Sequence, residues 1–233
     1  MKRYLVFSIV AGMLLVRPAL ADVSWGISEP TLDQLSFDAT NQLMIDQVMQ
    51  RATTTRPRTP AKSPTGDLRA LPGRGGPIAP KLLAASYPDA ARAQAERVFA
   101  TLLEQYHAVE TQLGIEKFDL AGALAAFIAG NYMAARDVDV SDRAFGALVT
   151  QLRGSLATAP QFRDLPAQRR QEVYERLAIL GMHVVATRMA LQQRPDPKLR
   201  EALQRAARGY LQELARLDAD RMTIDERGLV VAP

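Results

Sequence analysis

Two histidines are the first side chains to test for chemistry, because imidazole serves as a metal ligand, general acid and general base near neutral pH. The chain contains only His107 and His183. Glu104 precedes His107 at the Glu-x-x-His spacing, which aims two ligands into the core of di-iron helical bundles. Such a site requires a second copy, and Leu180 stands at the corresponding position before His183. We therefore predict that both histidines are structural and that neither is catalytic.

A second group has the outline of a calcium-binding loop. Residues 137–142, DVDVSD, place oxygen-bearing side chains at alternate positions. A calcium loop of this type needs glycine at its sixth position and glutamate at its twelfth, where this chain has Asp142 and Leu148. Ser141 is also in place to cap a helix. The sequence therefore predicts no metal site here, although a metal-binding helical protein stays open as the second alternative function.

The motifs of nucleophilic and phosphate chemistry do not occur in the sequence. It has no Gly-x-Ser-x-Gly elbow, no phosphate-binding glycine loop and no His-Glu-x-x-His pair, and it contains no cysteine. Two positioned carboxylates suffice for a glycosidase or lytic reaction, but the acidic residues mostly alternate with Arg or Lys and nothing selects a pair. We assign no catalytic residue and no cofactor. A carboxylate-based periplasmic hydrolase stays open as the first alternative function.

The most suggestive polar group runs from the end of an apolar helix into a loop, where binding residues are often held on a rigid support. Its members are Asn131, Tyr132, Arg136, Asp137 and Asp139. The competing interpretation is structural: the Asn131 amide bonds a neighbouring backbone, and Arg136 pairs with one of the two aspartates to brace the loop. These five residues are the candidate binding site.

The helix that leads into this loop organises the domain. Residues 119–135, DLAGALAAFIAGNYMAA, carry no charge after Asp119, and a helix that is apolar on all sides belongs inside a bundle. Small residues recur in it every four positions, namely Gly122, Ala126, Gly130 and Ala134. This ridge lets a neighbouring helix approach closely, and we expect that helix to cross it at Gly181.

Further helices are predicted where apolar residues recur at three and four positions between start and stop signals. Those signals are Pro88 and Gly114, Ser141 and Pro160, Pro166 and Pro195, and then Asp196 with Pro197. Two β-prone runs around a Gly-containing turn follow from Met222 and are typical of a hairpin. The predicted fold class is therefore all-α: a bundle of about five helices around residues 119–135, with a small C-terminal β-hairpin.

Residues 1–21 have the organisation of a secretory signal peptide. Lys2 and Arg3 precede an apolar run over residues 5–16, and Ala-Leu-Ala closes the segment before Asp22. That run is shorter than the roughly 20 residues that span a bilayer. We therefore expect an exported protein, in the periplasm or secreted, with no transmembrane anchor after cleavage.

Removal of the signal also changes the charge of the chain. The full sequence has 29 basic and 25 acidic residues, a net charge of +4. Lys2, Arg3 and Arg17 leave with the signal, so the mature protein has a net charge of +1. A product so close to neutrality gives no reason to propose nucleic acid as a partner.

Two segments precede the predicted helical domain of residues 81–233. Residues 22–50 carry five acidic residues and no basic one, and their apolar positions predict a short amphipathic helix after Thr40. This acidic N-terminal segment either folds back onto the domain or docks onto another protein. Residues 51–80 contain six Pro and four Gly and predict a disordered basic linker.

Three stretches resemble a family of exported helical proteins from Gram-negative bacteria known only as a domain of unknown function. They are YPDAARAQAERVF, DLAGALAAFIAGNYMAARDVDVSDRAF and YERLAILGM. The likeness covers about residues 80–231 and implies an all-helical exported domain behind a variable linker, but no reaction or ligand. The leading hypothesis is an exported, non-enzymatic helical domain that binds a protein or a cell-envelope component, with oligomeric state open.

Overall fold

The computed structural model describes residues 68–159, 162 and 164–232. The predicted signal peptide, the acidic segment of residues 22–50 and residues 51–67 lie outside the described residues. Six helices and one antiparallel hairpin form the part of the chain that the structure describes. In chain order they are α1 (Ala79–Ala84), α2 (Asp89–Gln112), α3 (Leu120–Arg136), α4 (Asp142–Ala157), α5 (Ala167–Gln193), α6 (Pro197–Ala215), β1 (Met222–Asp225) and β2 (Gly228–Val231).

Local sequence signals set the beginnings of three helices. The Asp119 carboxylate accepts a hydrogen bond from the Ala121 amide and begins α3. Ser141 caps α4 in the same way, and Asp196 caps α6 by accepting from two amides of the first turn. Each cap satisfies an N–H group that has no partner within its own helix. The predicted all-α fold class and the helix starts are confirmed.

Helix α3 lies at the centre of the bundle, as predicted. Every residue of α3 is buried except Ala126 and Arg136. It packs most extensively against α5, and also against α6 and α4. A helix with apolar residues on all sides has no face to give to water, so surrounding it with three helices is the arrangement that buries it completely.

Two glycines allow α3 and α5 to touch backbone to backbone. A Cβ atom built on Gly181 of α5 would lie 2.8 Å from the backbone carbonyl of Ala126, and one built on Gly130 would lie 2.9 Å from the Gly181 carbonyl oxygen. Real Cβ atoms do not approach backbone atoms so closely, so a side chain at either position separates the helices. The predicted crossing of the small-residue ridge at Gly181 is confirmed.

The C-terminal hairpin is also present. Strands β1 and β2 pair antiparallel, with Met222 opposite Val231 and Ile224 opposite Leu229. The Gln151 side chain on α4 both accepts from the Leu229 amide (2.7 Å) and donates to the Leu229 carbonyl (3.0 Å). This amide completes the hydrogen bonding of one strand edge and fastens the hairpin to α4.

The N-terminal boundary of the domain differs from the predicted one. Residues 68–78, hereafter the strap, lie along the helical bundle, and the short helix α1 follows them. Leu68 and Ala70 are buried at 8% and 1% exposure. A disordered linker is therefore the wrong prediction for residues 68–80, and the domain begins at or before residue 68 rather than at 81. The reason is tertiary, since the groups that hold the strap lie on α3 and α5.

Across the described ranges, none of the helices combines the length and the apolar character that a bilayer crossing needs.

Candidate functional site: the strap seam and the Glu110 cluster

Helix α5 holds one end of the strap through two buried polar side chains. The Gln171 side chain accepts a hydrogen bond from the Gly73 amide (2.8 Å) and donates to the Gly76 carbonyl (2.9 Å). Glu175, one helical turn further, accepts from the amides of Ile78 and Ala79 with the same oxygen, both at 2.8 Å. These two residues, each 3% exposed, form the α5 anchor of the strap.

Glu175 also receives a hydrogen bond on its second oxygen. The Gln171 amide donates to it at 2.7 Å, so the carboxylate accepts three hydrogen bonds from groups inside the protein. A buried carboxylate is stable only when its oxygens are bonded in this way. Hydrogen bonds to a charged group each contribute about 1.5–3 kcal/mol, so the α5 anchor makes a substantial contribution to holding the strap.

The other end of the strap pairs with the chain that enters α3. The Ala70 amide donates to the Phe118 carbonyl (2.8 Å), and the Leu120 amide donates to the Leu68 carbonyl (3.3 Å). Arg69 and Asp119 form an isolated antiparallel bridge between these bonds. Phe118 has a φ of +64°, which is unusual for a bulky residue. This α3 anchor thus holds a strained residue in place through its carbonyl.

A buried carboxyl group, Glu110 of α2, lies beneath this loop. Glu110 has no solvent exposure, and the Tyr174 hydroxyl of α5 donates to its Oε1 at 2.9 Å. Within the described residues its Oε2 has no hydrogen-bond partner. Burial raises the pKa of Glu110 from 4.5 to about 7, against a lowering by the Tyr174 hydroxyl and by the backbone amides of Phe118 and Asp119. Glu110 therefore keeps most of its proton up to about pH 7.

Aromatic rings enclose the Glu110 carboxyl. Tyr174 lies edge-on to Tyr106 (centroids 5.9 Å apart) and to Phe118 (6.0 Å), and the His107 ring stacks on it at 6.2 Å. Burial raises the pKa of both tyrosines, and the neighbouring Glu110 adds to the effect. All of these groups therefore prefer their neutral forms, which matches an apolar enclosure around a protonated acid.

A second carboxylate, Asp119, lies close enough to raise the pKa of Glu110 further. Asp119 is 3% exposed, and its Oδ2 forms an ion pair with Arg153 of α4. Asp119 is thus ion-paired, and Glu110 is bonded to a neutral hydroxyl. Two neighbouring carboxyl groups are the residues that acid–base catalysis uses, but both are closed off from solvent in this conformation.

The predicted binding residues do not form one surface. Asn131 is fully buried, and its amide donates to the Phe127 carbonyl one turn earlier in α3 (2.8 Å). Tyr132 is also buried, at 8% exposure. Only Arg136, Asp137 and Asp139 are exposed. The structure therefore separates the first two residues of the candidate set from the other three.

Arg136 does not brace the loop through a neighbouring aspartate as predicted. Its guanidinium donates to Asp220 Oδ1 (3.0 Å) and to the Ala219 carbonyl (3.2 Å), so it fastens the turn before β1. Arg188 of α5 takes the predicted place, with bonds of 2.8 Å to Asp139 and 3.4 Å to Asp137. The two aspartates of the calcium-like sequence therefore bind the guanidinium of Arg188, whose positive charge takes the place of a metal ion.

The histidines lie in separate environments. His183 is 6% exposed on α5, and burial lowers its pKa to about 4. His107 is half-buried, and burial also lowers its pKa. Glu104 is exposed to solvent. Among the described residues, no group of three or more His, Cys, Asp or Glu side chains is arranged to hold a metal ion.

The sequence does not single out the residues of the seam. A polar residue on an apolar helical face is the signal that would have identified them. Glu110 follows Tyr106 by four positions on the buried face of α2, and Gln171 and Glu175 lie one turn apart beside the buried residues Val173 and Tyr174. Charged residues are almost never buried without a bonded partner, so each of these positions predicts a tertiary contact.

The fold and the two anchors, which together form the strap seam, define a class of protein. It is a small all-helical domain built around a central apolar helix, and it holds its own N-terminal strap between α5 and the chain that enters α3. The chain belongs to the Family of unknown function (DUF6683), whose match covers residues 33–232. That match begins far upstream of the predicted likeness at residue 80 and includes the strap. No curated protein and no solved structure matches the chain.

Proposed function

We propose that this protein is an exported, non-enzymatic binding domain, whose acidic N-terminal segment contacts a partner protein of the cell envelope while the helical domain anchors it. The observation that supports this most is the strap seam. Gln171 and Glu175 hold the strap by its backbone, so the first described residue, Leu68, has a fixed place on the domain.

The composition of the acidic segment supports a protein partner. Residues 22–50 have five acidic side chains and no basic one, and Leu43, Met44 and Val48 give the predicted helix an apolar side. An amphipathic helix of this kind binds in an apolar groove of another protein. Its charge favours a groove with a basic rim, which also speeds the encounter.

The family match adds a second argument. It reaches from residue 33 across the strap to residue 232, so part of the acidic segment belongs to the same shared unit as the helical bundle. This continuity supports a role in which the segment and the bundle act together.

The test is a pull-down from native envelope with the full mature chain, residues 22–233. A variant with Leu43→Asp and Val48→Asp removes apolar contacts, and the control with Gln42→Asp and Gln50→Asp adds the same charge elsewhere in the segment. We expect wild type and the control to retain one partner protein and the apolar variant to lose it. Equal retention by all three, or no specific retention, would contradict the proposal.

Export is tested separately. We expect the mature protein to begin at Asp22 and to be released with the periplasmic contents or into the medium. Mass spectrometry of the purified native protein measures its N-terminus, and an N-terminal methionine in the mature product would contradict export.

A further inference from the structure

The two anchors of the strap lie on the same two elements that enclose the Glu110 carboxyl. Phe118, whose carbonyl accepts from Ala70, places its ring 6.0 Å from Tyr174. Tyr174 donates to Glu110 and is followed directly in α5 by Glu175, the residue that binds the strap amides. Tyr174 therefore links each anchor to the buried Glu110 carboxyl.

We propose that the proton on Glu110 keeps the strap closed, and that loss of this proton loosens the strap from its anchors. The neutral acid fits its enclosure of aromatic rings, because it carries no charge to be solvated there. A carboxylate in the same place has one well-formed hydrogen bond, from Tyr174, and a weaker favourable interaction with the backbone amides of Phe118 and Asp119, while its second oxygen has no partner in hydrogen-bonding geometry. Burial of an ionised and incompletely bonded group is strongly unfavourable.

In the proposed opening, the loop before α3 moves and admits water to the carboxylate. That loop carries Phe118, whose left-handed φ of +64° is held by the Ala70 bond. Release of this bond removes the restraint on a strained residue. The displacement of Phe118 and Leu120 breaks both backbone bonds of the α3 anchor, and the movement of Tyr174 disturbs the neighbouring Glu175.

The other titratable and charged groups around Glu110 do not supply a compensating charge. They are Tyr106 and His107 on α2, Lys117 and Asp119 before α3, Arg153 on α4, and Tyr174 and Glu175 on α5. Arg153 is occupied by Asp119, and Asp119 itself disfavours a second negative charge beside it. The pKa of His107 is lowered by its burial, so the ring is neutral when Glu110 ionises.

The direction in which strap opening changes with pH follows from the linkage between opening and ionisation of Glu110. The pKa of Glu110 is about 7 with the strap closed, and it returns towards the ordinary value of 4.5 when opening admits water. Opening therefore becomes more favourable as the pH rises from about 5 to 7 and levels off above 7. The inference does not depend on what the acidic segment binds.

Hydrogen exchange of the mature chain, read by mass spectrometry of strap peptides and corrected for the intrinsic exchange rate, tests the proposal. We expect the protection of residues 68–80 to fall more than about tenfold between pH 5.5 and 8, while peptides from the middle of α3 keep theirs. Glu110→Gln should abolish the fall, and Glu104→Gln, an exposed neighbour on α2, should behave as wild type.

Tyr174→Phe gives a second test that does not rely on the Gln variant folding. The lost hydrogen bond lowered the pKa of Glu110, so its removal should move the levelling-off of strap exchange to higher pH. Unchanged protection of the strap in the wild-type protein between pH 5.5 and 8 would overturn the proposal. So would an equal loss of protection in α3, because that would be global unfolding and not a movement of the strap.

Discussion

At the scale of single residues, burial decides what each polar side chain does. Glu110 and Glu175 are both buried glutamates, yet Glu175 accepts three hydrogen bonds and Glu110 accepts one from a side chain, with its second oxygen outside hydrogen-bonding geometry. Burial therefore raises the pKa of Glu110. Asn131 shows the same principle, because its position in the core removes it from the surface that its polarity suggests.

The stability of the protein should fall with rising pH because of Glu110. Its pKa is raised in the folded protein to about 7 from the ordinary 4.5. Its contribution is therefore fully present below pH 4.5, is lost between pH 4.5 and 7, and is absent above pH 7. The size of this contribution is about 3 kcal/mol.

Urea unfolding of wild type and Glu110→Gln from pH 4 to 8 measures the effect. The variant should be slightly less stable than wild type at pH 4 and more stable at pH 8, so the difference between their free energies of unfolding should change sign with pH. His183 has the opposite pH dependence, because its pKa is lowered to about 4 and its stabilisation is lost in acid. Both proteins contain His183, so its contribution cancels when the variant is compared with wild type. Parallel curves would contradict a raised pKa at Glu110.

At the scale of elements, the crossing of α3 and α5 fixes the architecture. Gly181 and Gly130 bring the two helix backbones into contact, and α5 in turn carries both Tyr174 and the α5 anchor of the strap. The close approach of these helices positions the Glu110 enclosure, since α2 and α5 pack together beside it. A change in the crossing is thus transmitted to the seam.

Gly181→Ala should destabilise the fold although alanine is the better helix former. The new Cβ meets backbone atoms of Ala126 and Phe127 at 2.8 Å, and overpacking of this kind costs about 1–3 kcal/mol. Gly146→Ala on α4 is the matched control, because a Cβ there meets nothing within 4 Å and should stabilise by up to about 1 kcal/mol. Chemical denaturation at one pH compares them, and two variants of equal stability would refute the tight crossing.

At the scale of the whole molecule, the helical domain begins at or before residue 68 and not at residue 81. The strap belongs to the helical domain, because its backbone is bonded at Ala70, Gly73 and Ile78 to residues of the bundle. Residues 68–80 therefore belong to the domain and not to the linker that composition predicts.

Limited trypsin digestion of the mature chain should leave a fragment that retains the strap. We expect early cleavage after Arg51, Arg58 or Lys62, and resistance after Arg69, because the following Ala70 is buried and hydrogen bonded. The mass of the stable fragment identifies its first residue.

The matched variants place the cause in the α5 anchor. Glu175→Ala should expose the bond after Arg69, whereas Glu201→Ala, an exposed glutamate of α6, should not. A wild-type fragment that begins at Ala70 would mean that the strap is not held in solution.

The sequence alone determined the elements that depend on neighbours along the chain. Helix starts at Asp119, Ser141 and Asp196 follow from capping side chains within three residues, and the burial of α3 follows from its composition. Even the crossing at Gly181 was predictable, since a glycine inside a buried helix requires a reason. Each of these features depends on residues close together in the sequence, so apolar periodicity and capping residues are enough to predict it.

The tertiary structure alone decided which polar groups meet. Gln171 and Gly73 are 98 positions apart, and Arg136 and Asp220 are 84 apart. Several partners were available to each, and Arg188 rather than Arg136 reached the aspartates after α3. Hydrogen bonds and ion pairs require atoms within about 3–4 Å, and only the packing of the helices sets such distances. The strap and the Glu110 enclosure exist for that reason.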